Sequence, residues 1–352
     1  MDTSEVPSTS STSEMNSSEL PSRSSIFSKM DPSYFQSVRD GWPTQKERAG
    51  RICGTSFICE LANRLLVSNE DRTKPPITVP TATVGVAIVY MHRFYAIHSM
   101  NDFDTRDVGA TCLYLSNKMD EGSITLERIV RHWFAVKFQV ATPPYKDRTC
   151  VDLLGHFAIL ECLLIETLEF DFEVLLPHPI VITHMELHNA PKPVRQCSFC
   201  LATDILRLTP WHLTQALEDL ACVVIKLAYE LNDQELPKSL KRLKFWFYDI
   251  SPSLTELKLN VLAGHFRSTL QTTFAKNLSI VKFAKAQGGV LEQKLRYWEP
   301  MKCHVGQQNR PLPSTPWSAV QRFNGGSAVQ RMNGSMASSS FILEPPPKPP
   351  TF

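Results

Sequence analysis

Residues 84–95, VGVAIVYMHRFY, decide the fold. Val84, Ala87, Ile88 and Met91 fall at i, i+3, i+4 and i+7, the spacing that lines one face of a helix with 3.6 residues per turn. Outward from this stretch the period recurs. Ile58, Leu61, Ala62 and Leu65 repeat it on one side, and Leu126, Ile129, Val130 and Trp133 on the other. Leu213, Leu217, Leu220, Val224 and Leu227 form a further face, and Ser253 with Glu256 reads as a capping-box start to a helix holding Leu254, Leu257 and Val261. No comparable run alternates with period two. Prolines 143, 144, 177, 179, 191, 193, 210, 237 and 252 cut the rest into helix-sized pieces. The fold class is all-α.

Two stretches lack a polar face. Residues 108–117 (VGATCLYLSN) carry no charge, and residues 151–170 (VDLLGHFAILECLLIETLEF) are apolar nearly all round. Such helices are buried on every side, so each is expected to be the hub of its own bundle. The charges attached to them then matter. Lys118 ends the first, and Glu161 sits among Ile159, Leu160, Cys162, Leu163 and Leu164 on the second. An unpaired carboxylate there would cost several kcal/mol or take up a proton. It needs a partner, faces out along a wet stripe with Glu166 and Glu169, or pairs internally with Lys118.

At about 150 residues per domain, the 352 residues hold two ordinary domains plus tails. Apolar residues at 43% and charged residues at 20% are globular proportions. The longest uncharged stretch ahead of the helical region, residues 77–91, contains Pro80 and falls short of the roughly 20 apolar residues that span a bilayer, so no membrane partner is expected. No secretory leader opens the chain, and its nine cysteines are expected as free thiols in cytosol or nucleus. The first 30 residues contain 11 Ser and three Thr and cannot bury enough surface to offset chain entropy. Residues 271–352 hold ten Lys/Arg against three acids, which leaves residues 1–270 with 27 basic against 32 acidic groups. A mildly acidic body thus carries a basic tail, able to lean on an acidic partner or to act as a solvated spacer. In that tail SAVQRFNG (318–325) returns as SAVQRMNG (327–334), and EPPPKPP (344–350) is a polyproline II candidate or a spacer.

Chemistry-bearing motifs are sparse. Cys197 and Cys200 have zinc spacing without a second pair of ligands and lie on an apolar helical face, so they read as buried thiols. His184 and His188 are four apart, but Glu186 does not directly follow the first histidine, and the HExxH metalloprotease pattern fails. No GxSxG elbow, Gly-rich phosphate loop or kinase signature occurs. The sequence assigns no catalytic residue, metal ligand or cofactor; it reads as a binding protein rather than an enzyme.

Three segments together point to a family. IVYMHRFY (88–95), GATCLYLSNKMDE (109–121), and Leu160-Glu161 followed by ETLEFD (166–171) strongly resemble the cyclin box of the transcriptional cyclins, the cyclin K branch first and cyclin T second. The resemblance covers roughly residues 45–270. It implies two tandem five-helix cyclin folds between disordered tails: 1–40 a Ser-rich tail, 41–173 the first, kinase-binding box, 174–272 the second, and 273–352 a basic, mostly disordered tail. Trp246, Tyr248 and Asp249 match the short helix late in the second repeat. By position Lys118 and Glu161 inherit the pair that hydrogen-bonds backbone beside a kinase's C helix, Glu121 a charge near the end of its helix, and Phe170 an aromatic anchor. The function implied is a non-catalytic regulatory subunit, in the nucleus, that binds and activates a kinase related to cyclin-dependent kinases 9, 12 and 13, which phosphorylates the C-terminal repeat domain of RNA polymerase II.

Departures accompany the likeness. Residues 68–80 are longer and more proline-rich than in cyclin K, and AGRIC (49–53) stands where cell-cycle cyclins carry a Met-Arg-x-x-Leu docking patch, which argues against substrate docking of that kind. Two other functions share the fold: a TFIIB-type nucleic-acid-binding factor, which the acidic body disfavours, and a helical scaffold without a kinase.

Overall fold

The chain, a computed structural model, is described over residues 32–67, 79–273, 278–288 and 290–298, all within one compact unit, Met1–Met301. The Ser-rich opening, residues 68–78, the nine-residue repeat and the proline run lie outside the described residues. Twelve α-helices and no strand occur among the described residues: α1 Gln36–Arg39, α2 Thr44–Val67, α3 Thr81–Ile97, α4 Thr105–Met119, α5 Leu126–Phe138, α6 Arg148–Thr167, α7 His178–Leu187, α8 Lys192–Leu208, α9 Leu217–Leu231, α10 Glu256–Thr272, α11 Ser279–Ala286 and α12 Val290–Arg296. Helices α2 to α6 form one five-helix repeat. In the second, α7, α8, α9 and α10 supply four members, and the 3-10 turn Trp246–Asp249 stands in the fourth place.

Sequence chemistry explains the breaks between helices. Asp104, Thr125, Asp147 and Thr255 cap α4, α5, α6 and α10, each accepting a hydrogen bond from a first-turn N–H (2.8, 3.3, 3.2 and 3.2 Å). The cap of α10 is thus Thr255 rather than Ser253, which shifts the buried face to Leu259, Leu262, Phe266 and Leu270 and leaves Leu257 and Val261 exposed. The periodic residues of α2, α3 and α5 point inward as their spacing demands, apart from a half-buried Leu126.

Helix α4 is the hub of the first repeat, packed by α2, α3, α5 and α6. Its Gly109 permits a close crossing with α2: an added Cβ would lie 3.1 Å from Ile58 Cγ1 and 3.4 Å from the Gly54 carbonyl. The second hub is α9, buried from Asp219 to Leu231 at every position except Lys226, and not the 151–170 stretch. Helix α6 buries one face only, through Cys150, Phe157, Leu160, Leu164 and Thr167. An apolar helix at the edge of a bundle has no more core to enter, so its surplus apolar side chains remain in water.

Buried polar groups join the repeats. Thr55 donates to the Arg207 carbonyl (2.9 Å), and His92 bridges α3 to α8 through Nε2 to the Leu206 carbonyl (2.9 Å) while Nδ1 faces Arg51 (3.2 Å). Arg51 is itself buried against Glu47, the His92 and Tyr95 carbonyls and the ring of Phe35, whose burial docks α1 on the body. Past residue 272, where the sequence places the tail boundary, the fold continues. Helices α11 and α12 bury Leu278, Ile280, Val281, Ala284, Leu295 and Trp298, and Asp204 of α8 caps α11 by accepting from the N–H groups of Ser279 (3.0 Å) and Ile280 (2.8 Å).

Burial makes this body sensitive to acid. It pushes the imidazoles of His92 down to about 3 and of His178 and His184 to about 4, and that of His212 well below the ordinary value. Their folded values lie under the unfolded 6.5, so below pH 6.5 the unfolded chain takes up protons the folded chain refuses, and stability is lost progressively down to about pH 4. The raised carboxyls of Glu47 and Asp204 act in the opposite sense and are outnumbered. Thermal melts should show a midpoint steady above pH 7 that falls between pH 6.5 and 4, at up to about 1.4 kcal/mol per histidine per pH unit. A midpoint that is flat or rises over that range would show that these rings are not held neutral.

Candidate functional site

Helix α4 stays buried through Ser116 and Asn117 and emerges at its last turn, where the Lys118 side chain is 56% exposed. On α6, Leu160 and Leu164 point into the core, which turns Glu161 between them toward α4, 13% exposed. Lys118 Nζ donates to Glu161 Oε1 at 3.0 Å, and this hydrogen bond, followed by the carboxylate charge, holds the ammonium pKa above its usual value. An ion pair this wet contributes only about 0–1 kcal/mol to the fold. Lys118 uses one of three donors on Glu161, whose Oε2 accepts no hydrogen bond among the described residues. Two cationic donors and a carboxylate oxygen thus remain at the rim, the set that can satisfy both the C=O and N–H groups of a foreign backbone.

Glu121 lies three residues beyond Lys118, in the left-handed region at φ 52°. The turn that carries it is fixed on both sides: Thr83 donates to Asp120 (2.5 Å), and the Gly122 N–H bonds the Asn117 carbonyl (2.8 Å). A Cβ on Gly122 would fall 2.0 Å from Asn117 Oδ1, so any larger residue here would displace the Asn117 amide. The Glu121 side chain is exposed, with no ion pair among the described residues.

Phe170 stands past the end of α6, where Glu169 and Phe170 take φ of 53° and 61°. Non-glycine residues adopt such angles at a cost, and here the surrounding structure enforces them. The Phe170 N–H bonds the Ile165 carbonyl (3.3 Å); Arg93 reaches the carbonyls of Asp171 (3.2 Å) and Glu173 (3.4 Å); and the Tyr90 hydroxyl donates to the Phe172 carbonyl (2.8 Å). The result is a ring 71% exposed, set edge-on to Phe172 with centroids 6.2 Å apart. Lys118 and Glu161 are therefore brought together, while Glu121 and Phe170 form no hydrogen bond or ion pair with them among the described residues.

The periodicity missed an apolar strip on the outer side of α6. Ile159, 71% exposed, Val151 and Cys162 lie along the outer side of α6, where Gly155 has open space before its Cα. The signal was in the composition: 151–170 holds more apolar side chains than one face can bury. Elsewhere, Cys197 is buried and Cys200 half-buried, their thiol pKa values raised by burial, that of Cys200 to about 12. His184 and His188 stack with centroids 4.3 Å apart. Among the described residues no three His, Cys, Asp or Glu side chains are grouped to hold a metal, and no helix is long and apolar enough to cross a membrane.

Comparison with known proteins adds the family. Residues 76–172 match the family described as cyclin, N-terminal domain, and residues 176–269 that described as Cyclin-T2-like, C-terminal domain. Human Cyclin-T2 is 31% identical over 240 residues, 67% of this chain and 31% of the relative; Cyclin-T1.1 of Caenorhabditis elegans is 28% identical over 207 residues, 57% and 42%. Drosophila melanogaster Cyclin-T is 30% identical over 210 residues, 60% and 19%. The chain spans about a third of the length of human Cyclin-T2. These relatives are cyclin T proteins, the second of the two branches the motifs resemble. A chain of the crystal structure of the yeast RNA Pol II CTD kinase CTDK-1 complex has a similar fold, with TM-score 0.55 at 15% identity over 84% of this chain and 88% of that one. With a cyclin domain matched on each repeat and cyclin T proteins as its relatives, this chain belongs to the transcriptional cyclin family.

Proposed function

We propose that this chain is a non-catalytic regulatory subunit that binds and activates a cyclin-dependent kinase of the transcription-elongation class, related to kinases 9, 12 and 13, and so promotes phosphorylation of the RNA polymerase II C-terminal domain in the nucleus. The observation that carries the reading is the Lys118–Glu161 pair at the rim of α4 and α6, which keeps spare donors and a spare acceptor among the described residues. Membership of the family supports a kinase partner, and the yeast neighbour of similar fold comes from a complex that is itself an RNA Pol II CTD kinase.

The activation mechanism is a population shift. A kinase of this class alone rests with its C helix rotated away and its ATP-orienting Lys–Glu pair unmade; a partner that binds only the active arrangement shifts the equilibrium by its differential affinity. Lys118 and Glu161 bond backbone beside that helix, the apolar side of α6 packs along it, and Phe170 anchors the far end. Affinity capture with the full chain from nuclear extract, followed by assay of the captured material on a polymerase repeat peptide, tests the reading. Recovery of an elongation-class kinase supports it, and recovery of no kinase rejects it.

The apolar contact has its own test. Ile159→Asp places a charge where the partner must desolvate it, without disturbing a core that Ile159 does not enter. Kinase capture is expected to fall at least about tenfold with an unchanged melting midpoint, since charged groups buried in an interface without partners cost more than about 1.4 kcal/mol. Unaltered capture would remove the outer, Ile159 side of α6 from the interface.

A further inference from the structure

Residues 236–248, LPKSLKRLKFWFY, join α9 to the 3-10 turn of the second repeat and contain no acidic residue. Lys238, Lys241, Arg242 and Lys244 are all exposed, and none has an ion-pair partner among the described residues. Between them Leu236, Leu240 and Leu243 are exposed as well, Leu240 at 54%. The body around this island is net acidic. Cations and leucines interleaved on one short connection are not what a merely solvated loop needs, since exposed leucine gains nothing from water.

The connection is also held in shape. Asp249 Oδ1 accepts from the Ser239 hydroxyl (2.8 Å), Asp249 Oδ2 from the Leu240 N–H (2.7 Å), and the same carboxylate takes the Lys241 N–H, bonds that hold its pKa below the usual carboxylate range. Ser239 Oγ accepts from the Leu243 N–H (2.9 Å), and Arg242 between them is in the left-handed region at φ 56°. Below, Phe245 stacks on Phe247 at 5.1 Å, and Trp246 and Phe247 are buried. Three carboxylate bonds and a buried aromatic base thus pre-order Leu240, Leu243 and the surrounding cations, and pre-ordering lowers the entropic cost of binding.

We propose that this platform, remote in sequence from the α4–α6 rim, is a second docking surface, and that it takes an acidic peptide segment bearing aliphatic or aromatic anchors. Charge complementarity selects the acid. The leucines select the peptide: nucleic acid on a basic surface gains from exposed aromatic side chains on which bases stack, and here Phe245 and Tyr248 are half-buried against Phe247 and each other. The chain's own basic C-terminal region has the wrong charge to occupy it. The surface does not depend on the kinase reading.

The test uses the full chain and a fluorescein-labelled twelve-residue peptide in which Asp and Glu alternate with Leu and Phe, read by fluorescence anisotropy, beside the same peptide with Ser at every apolar position and 20-nucleotide single- and double-stranded DNA and RNA. The apolar acidic peptide is expected to bind at least about tenfold tighter than its serine counterpart and than any oligonucleotide, and to weaken as salt screens the charges. Leu240→Ser with Leu243→Ser, and separately Lys241→Glu with Arg242→Glu, should each reduce that binding by at least about tenfold, because both halves of the surface are used. All four side chains are exposed, so the fold should be kept, with only a small fall in the melting midpoint of the charge pair from the loss of the Lys241 charge near Asp249. Tighter binding of an oligonucleotide, insensitive to the leucine pair, would overturn the proposal in favour of a nucleic-acid surface. Absence of peptide binding, or binding that both pairs of substitutions leave intact, would overturn it outright.

Discussion

Glu161→Ala is expected to weaken association with the kinase by about 2–5 kcal/mol, the range found when one partner of a charge pair desolvated in an interface is removed. In the free chain the same substitution should cost about 1 kcal/mol or less, because Lys118 then faces water and a pair this exposed contributes little to folding. The contrast between the two measurements is the informative quantity. In the proposed complex docking buries Lys118 against foreign backbone, and without Glu161 its charge is only partly satisfied there. Isothermal titration of kinase into wild-type chain and variant, with a urea melt of each alone, measures both. A loss of affinity that merely tracks a loss of stability would mean that Glu161 acts through the fold.

Asp204→Ala should produce the largest stability loss of any single change considered. Asp204 is fully buried, lies 3.3 Å from Arg207 and receives the first two free N–H groups of α11. Removing it deprives a buried guanidinium of its carboxylate and leaves two helix-terminal donors without an acceptor, which together cost about 3–5 kcal/mol. Hydrogen exchange should report the loss first at residues 279–286, since α11 depends on this cap, and Asp204→Asn, which keeps one acceptor, should lose less. Equal protection of α11 in wild type and variant would show that its apolar contacts through Ile280, Val281 and Ala284 suffice to hold it.

Much of this was legible in the sequence. The faces of α2, α3 and α5 follow from spacing because those helices have one wet side, whereas the local pattern leaves Glu161 open between a wet stripe with Glu166 and Glu169, a foreign partner and Lys118, and only the fold selects Lys118. Misreadings arose where a local rule meets two physical outcomes. The 151–170 stretch satisfies the rule for a buried helix, yet α6 is an edge helix whose surplus apolar groups stay in water, whereas α9, although it carries Glu218, Asp219, Lys226 and Glu230, is the buried hub because its buried acids are paired: Asp219 with Lys258 and Ser251, Glu230 with Lys226 and Arg267. Ser253 and Thr255 each sit three residues ahead of a possible first-turn donor, so the local pattern fits both, and in the fold Thr255 takes the Lys258 N–H. The docking of α11 rests on Asp204, 75 residues earlier in the chain, a separation that no local pattern encodes.

The most direct test of the rim pair is the rate at which a purified elongation-class kinase phosphorylates polymerase repeat peptide when saturated with wild-type chain or with the Lys118→Ala/Glu161→Ala double variant at matched folded concentration. Stimulation by the wild type and a basal rate with the variant is the predicted result. Equal stimulation by both would contradict the assignment of these two residues to the kinase interface.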